Sequence, residues 1–318
     1  RSSCCGLASR SSMSTWERGI MMSRTRMSST CSTPSRVWAM YAAALSRAAE
    51  FGTRGPKAHC RSAWRIARCA SNGGGSGAPH PPASTASAAT ATRLAQKVYG
   101  NYKADDVRWV GALGMDYGVI VVGKDSPYKT LDDLMEQLKT DPRKAPIVGA
   151  SSVGGWDHLK ALLVAKEAGI KNLRSINYIP FDNGGKALLE VIAGRAAAFT
   201  GDSSEIIGQL QAGELRILAV LSDMHIPALG DAKTAKEQGY DVVGGNWRAF
   251  YAPAGISDEA YDYWVSAVKA VAESPEWTEL RVKNGLAEFT SFGKDFDGFV
   301  RKQIENVAEL SKELGIIK

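Results

Sequence analysis

Between residues 147 and 221 the chain repeats one local pattern three times: an apolar run, a loop of small residues, then a stretch with helical spacing. Ile147 and Val148 lead into Ala150-Ser151-Ser152-Val153-Gly154-Gly155, after which Leu159, Leu162, Leu163 and Ala165 recur at helical intervals up to Gly169. Ile176 to Ile179 then precede Phe181-Asp182-Asn183-Gly184-Gly185 and a helix through Leu188, Leu189 and Ile192. In the third round Ala196 to Thr200 reads as a strand, Gly201-Asp202-Ser203-Ser204 as a loop and Ile206 to Leu210 as a helix, before a strand from Leu215 to Leu221. Strands alternating with helices of this length make βαβ units, hence a mostly parallel sheet covered on both faces. The fold class is α/β.

The flanking segments are legible in the same terms. Thr130 stands as the N-cap of a helix, with Asp133 three residues on as its capping-box partner and Pro142 beyond its end. An apolar strand covers Val119 to Val122, with Tyr117 just before it. After Ser222 come a short helix near Lys233 to Gln238 and an extended segment from Asn246 to Tyr251. Three helical stretches close the chain, one capped by Ser257, one opening at Ser274-Pro275 and one from about Phe296 to Leu314.

This order fixes what the loops can do. Each strand-to-helix loop puts small or hydroxyl residues before a helix whose first amides lack internal partners and whose dipole is positive, an arrangement that favours anions. In open α/β sheets such loops gather at the carboxyl edge of the strands, so three of them can meet one ligand. Ser151 and Ser152 are candidate hydroxyl donors to a carboxylate, and Gly154 and Gly155 permit close backbone approach. Gly184, Gly201 and Ser203 extend the candidate set, Tyr117 is the aromatic expected near the cleft, and Arg248 either grips a carboxylate or lies on the surface. Taken one loop at a time, Gly and Ser before a helix are ordinary turn and cap residues; the triple recurrence is what points to a ligand.

Other chemistries lack their residues. Asp157 and His158 are adjacent on one helix and point about 100° apart, and Val153 breaks any nucleophile elbow around Ser151, so no hydrolase triad forms. Gly185-Lys186 is not a phosphate-binding loop, and no dinucleotide or zinc-protease motif occurs. The five cysteines all precede residue 70 and form no metal-ligand spacing with the four histidines. No enzyme activity, cofactor or metal is expected.

Charge would by itself suggest a nucleic-acid partner, because the net value is +6. It is confined to one end. Residues 1–90 hold twelve Lys and Arg against two acidic residues, a net of +10, whereas the remainder carries 27 basic and 31 acidic residues. The same ninety residues contain seventeen Ser but only six Leu, Ile, Val and Phe together, too few to close a core. Eleven of the twelve basic residues are Arg, and Arg, Ser, Ala, Gly, Pro and Cys together are what GC-rich DNA yields in a wrong frame. Residues 1–90 therefore read as an out-of-frame translation, with a basic disordered tail as the rival. No secretory signal is visible there, since the basic residues near Arg1 and Arg10 precede no apolar stretch.

The motifs from about Leu94 to Lys318 resemble a known family. VRWVGALGMDYGVIVVGKDSPYKTLDDL, the ASSVGGWDH loop, YIPFDNGGKAL, FTGDSSEI, LRILAV and NWRAFYAPAG follow in the order and spacing of the substrate-binding proteins of tripartite tricarboxylate transporters, also called Bug proteins. The resemblance implies a type II-like periplasmic binding fold of two α/β lobes, closing on a small carboxylate that is handed to membrane permease subunits. It also implies residues 91–123 and 224–318 as one lobe and 124–223 as the other, a periplasmic location, a monomer, and citrate-like ligands from the likeness of the Asn246-Trp247-Arg248 segment. Family members open with a strand and a Pro-Gly-Gly-rich loop that residues 1–90 do not match, so the first part of lobe one is expected to be replaced by non-native sequence. The alternative is the ligand-sensing effector domain of a DNA-binding regulator, whose head would need apolar helical periodicity that residues 1–90 lack.

Overall fold

The computed structural model describes residues 83–317. The wrong-frame translation and the missing opening loop expected in residues 1–82 lie outside these residues. Ser84 to Thr90, however, are part of the fold, so the boundary expected at residue 90 falls several residues too late. Ser84–Ser87 form strand β1 and Ala88–Ala95 helix α1, with Ala86, Ala88 and Ala91 buried. Short Ser and Ala residues pack closely here without the bulky apolar side chains by which a core is usually recognised.

The longest element is β2, Val107–Gly123, seventeen residues of which only the last few read as a strand in the sequence. Its first half pairs antiparallel with β7 (Gly245–Pro253) and β8 (Ser291–Phe292), and β1 adds to the far side of β7. Its second half pairs antiparallel with β5 (Ala198–Asp202) on one side and β6 (Leu215–Leu221) on the other. Strands β3 (Ile147–Gly149) and β4 (Tyr178–Pro180) continue parallel from β5. The sheet is thus mixed rather than mostly parallel, because β2 runs against its neighbours. Gly111 and Gly118 explain why β2 is hard to read: a Cβ at Gly111 would lie 2.6 Å from the Phe292 ring, and one at Gly118 2.6 Å from Lys160 Cδ. Glycine in a strand marks such close approaches and weakens the sequence signal.

The helices follow the expected start signals. Thr130 accepts the amide of Asp133 at 3.1 Å while Asp133 Oδ2 accepts that of Thr130 at 2.9 Å, closing the box that starts α2 (Leu131–Thr140). Exchange of Thr130 for Ala removes one of these bonds, and urea denaturation should show a loss of about 1 kcal/mol. Helices α3 (Trp156–Glu167), α4 (Gly184–Ile192) and α5 (Ser203–Gln211) follow β3, β4 and β5. Helices α6 (Asp258–Ala272), α7 (Pro275–Lys283) and α8 (Gly293–Glu313) close the chain, the first two capped by Ser257 and Ser274. The segment near Lys233 narrows to a single 3-10 turn, Lys236–Gln238.

Around β7 and α8 the core is aromatic: Trp109 and Phe296 both meet Trp247 edge-on, at 6.2 and 5.4 Å between ring centres. Trp277 is buried and donates to Leu113 O at 2.8 Å. Around β3 to β6 it is mostly aliphatic, with Phe199 as its fully buried aromatic, and α3 is buried along most of its length, Lys160 included. Among the described residues no helix is long and apolar enough to cross a membrane.

Candidate functional site

Because β3, β4 and β5 are parallel and β6 shares the direction of β5 through their common partner β2, all four carboxyl ends open on one edge. Asp116 and Tyr117 lie on the same edge, since the next residue, Gly118, pairs with both Asp202 and Leu221. The three loops expected to meet there do so.

The loop after β3 is organised by its own side chains. Ser151 Oγ accepts the Asp157 amide at 3.1 Å and lies 3.3 Å from the Tyr178 hydroxyl, which donates to Ser151 O at 2.8 Å. Gly154 has φ +83°, a conformation that favours glycine, and its amide donates to His158 Nδ1 at 2.9 Å. Burial holds the His158 ring neutral, its pKa brought down to about 4. A Cβ at Gly155 would lie 2.7 Å from Ser151 Oγ, so this glycine lets the hydroxyl reach the helix end. Ser152 is exposed. Across the edge, Gln96 Nε2 donates to Gly154 O at 2.7 Å and to Ser311 Oγ at 3.1 Å, tying the loop to residues of α8. Ser151 and His158 are thus each engaged with other groups.

Trp156, the first residue of α3, is 7% exposed, and its indole Nε1 has no hydrogen-bond partner among the described residues. A buried unsatisfied donor is costly and rare, and at a helix start it adds to the unpaired amides. At the start of α4, Asn183 Oδ1 takes the Lys186 amide at 3.0 Å, leaving the Gly184–Gly185 turn at the edge.

The start of α5 already holds an anion, and it belongs to the chain. Asp116, fully buried, accepts from the Ser204 amide at 3.1 Å, the Ser204 hydroxyl at 2.6 Å and the Ser203 hydroxyl at 2.9 Å. Arg248 Nη2 completes the ring, 2.6 Å from Asp116 Oδ2 and 2.8 Å from Asp202 Oδ2. Arg248 is therefore not on the surface; its side chain is 12% exposed and its charge is directed at two carboxylates. Ser203 likewise faces Asp116 and Gly285 O. Tyr117 is buried and donates to Asp223 at 3.3 Å, with its pKa pushed up to about 12 by burial and then by that carboxylate.

The network extends to Lys160, which no sequence motif singles out. Lys160, wholly buried, reaches Asp157 at 2.9 Å, Asp202 at 2.8 Å and Gly201 O at 2.8 Å, and Asn246 donates to Asp202 at 2.6 Å. Burial opposes the lysine charge, but the two carboxylates outweigh it and hold its pKa up. Asp202 is also penalised by burial, yet Lys160 and Arg248 keep it ionised. Asp116 and Asp157 are pushed upward, by burial first, because the two cations cannot compensate every carboxylate. A signal existed in Gly118 and Gly244, which would crowd the Lys160 stem if either bore a Cβ, but a glycine does not announce which side chain it accommodates.

Glu205 is a further carboxyl of this cluster. Its Oε2 accepts the Asp202 amide at 3.0 Å, and a Cβ on Gly184 or Gly201 would come within 2.4 or 2.6 Å of its oxygens. Burial, then Asp202 and Asp157, push its pKa up to about 8. Among the described residues no group of His, Cys, Asp and Glu has metal-site geometry.

Known proteins share this architecture. A TctC solute-binding protein from Polaromonas superposes with a TM-score of 0.62 at 21% identity, over 86% of this chain and 92% of that one. A Rhodopseudomonas palustris protein, Rpa4515, solved with adipate, gives 0.66 at 21% identity over 80% and 84%, and MatC of the same species, solved with malate, gives 0.60 at 16% over 71% and 77%. In sequence, a UPF0065 protein of Bordetella pertussis is 25% identical over 232 residues, 71% of this chain and 70% of that protein. Protein BugT of the same organism is 26% identical over 201 residues, 62% of this chain and 59% of that protein. Residues 83–316 match the family described as the tripartite tricarboxylate transporter family receptor, and the chain belongs to that family.

Proposed function

We propose that this chain is a periplasmic solute-binding protein that holds a small di- or tricarboxylate at the shared edge of β3, β4 and β5 and delivers it to a membrane permease, without chemical change. The observation that carries the reading is the convergence there of the starts of α3 and α4, with the buried unpartnered donor of Trp156 beside them. Ser151, Ser152, Gly154, Gly155 and Gly184 are the proposed ligand-facing residues, with backbone amides as the main donors. Gly201, Ser203, Tyr117 and Arg248 shape the same edge through the internal network. Malate and adipate in the two structural neighbours support a carboxylate, and a citrate-like ligand is the finer form of the proposal. The lobes would be divided at the residues implied by the resemblance, with residues 84–90 added to the first.

Titration with citrate, malate, adipate and glutamate, read by calorimetry and by denaturation, tests this. A ligand present at a hundred times its dissociation constant should add about 2.7 kcal/mol to folding stability. Absence of stabilisation by every carboxylate overturns the proposal.

A further inference from the structure

The position of one side chain carries the reading of this site further. Glu205 is half-buried at the carboxyl edge, between the starts of α4 and α5. One oxygen, Oε2, is spent on the Asp202 amide; Oε1 meets no protein donor among the described residues. The chain makes room for this carboxyl at two of the loops in question. A Cβ at Gly184 would stand 2.4 Å from Oε1, and one at Gly201 2.6 Å from Oε2, so any larger residue at either position displaces the group.

We infer that Glu205 is a specificity-determining contact of the carboxylate site, its Oε1 presented to the bound anion as a hydrogen-bond donor. This rests on the binding reading above. An ionised carboxyl there would repel an anionic ligand, whereas a neutral one donates an O–H to it, a short and strong bond type. The surroundings favour the neutral form. Asp202 at the end of β5 and Asp157 on α3 face Glu205, opposed by Lys160 of α3, with Asp116 of β2 and Arg248 of β7 one step behind Asp202. Helix α4 contributes backbone and glycine, its nearest charges, Lys186 and Asp182, being an exposed pair. Four carboxyls thus meet two cations, and burial penalises any excess negative charge. The pKa of Glu205 near 8 accords with this placement.

Binding should therefore require the protonated group. Adipate and malate, whose own carboxylates are ionised throughout, should bind about tenfold more weakly at pH 9 than at pH 7, since a required proton with pKa about 8 is then mostly lost. Calorimetry at pH 9 in two buffers of different ionisation enthalpy should show close to one proton taken up per ligand bound, and none at pH 6.5. In Glu205→Gln the amide keeps an acceptor for Asp202 and a donor for the ligand, so affinity should be flat from pH 7 to 9. A flat wild-type profile, no proton uptake at pH 9, tighter binding at high pH, or an equal slope in Glu205→Gln each overturns this inference alone. No carboxylate bound at any pH overturns the binding reading, and this inference with it.

Discussion

Exchange of Lys160 for Met should lower folding stability by about 3–5 kcal/mol at pH 7, measured by guanidinium denaturation. Methionine matches much of the stem, which lies against Gly118 and Gly244, so little packing is lost. The ammonium is what disappears, and with it the donor to Asp157, Asp202 and the Gly201 carbonyl. Asp202 keeps Asn246 and Arg248; Asp157 loses its cation and stays buried. Breaking a buried ion pair from one side leaves an uncompensated charge, which costs far more than the intact pair contributes. Without Lys160 the folded-state pKa of Asp157 climbs further above its unfolded value and that of Asp202 loses a cation that helps to hold it below its own, so the variant's deficit grows as pH rises through the carboxylate range. As pH falls, Asp157 becomes protonated in both states below its unfolded value and Asp202 only below its lowered folded one, and the deficit shrinks through that range. A loss under about 1 kcal/mol at pH 7 would show that the ammonium is not what holds these carboxylates.

The sequence shows some of this and hides the rest, for physical reasons. Local signals act over a few residues, so the Thr130 box, the Ser257 and Ser274 caps and β6 from Leu215 to Leu221 are read at their observed places. The three loops are legible because βαβ connectivity sends them to one edge. What fills that edge depends on pairings across the chain: Asp116 reaches Ser203 and Ser204 over more than eighty positions, and Arg248 reaches Asp116 over 132. No periodicity encodes such distances. Lys160 illustrates the failure best, because a lysine four residues into a helix reads as solvated, and lysine is almost never fully buried unless paired. Strand β2 is obscured by its glycines, and residues 84–90 by their likeness in composition to the Ser- and Ala-rich stretch before them.

Arg248 gives the second large effect. An arginine at a sheet edge near a carboxylate site invites the reading that it grips the ligand; here the protein supplies both carboxylates itself. Arg248→Ala should destabilise the fold by about 3 kcal/mol, toward the lower end for a buried pair. Asp116 would keep three donors from Ser203 and Ser204, and Asp202 would keep Lys160 and Asn246. If instead Arg248 served the ligand, its removal would relieve a buried cation and cost the empty protein little. Pairing with Asp116 is separable from packing by a double-mutant cycle: Arg248→Ala with Asp116→Asn should cost at least about 1 kcal/mol less than the two single changes added. Its pH dependence has the opposite sense to that of Glu205. Arg248 lowers the folded pKa of Asp202, so its contribution is present above the unfolded carboxylate value and lost as pH falls through the folded one. The gap between wild type and Arg248→Ala should therefore be widest near neutrality and close in acid. An additive cycle with a gap constant in pH would mean that Arg248 supports the edge through its packing, and that the charge at the start of α5 is held by Ser203 and Ser204 alone.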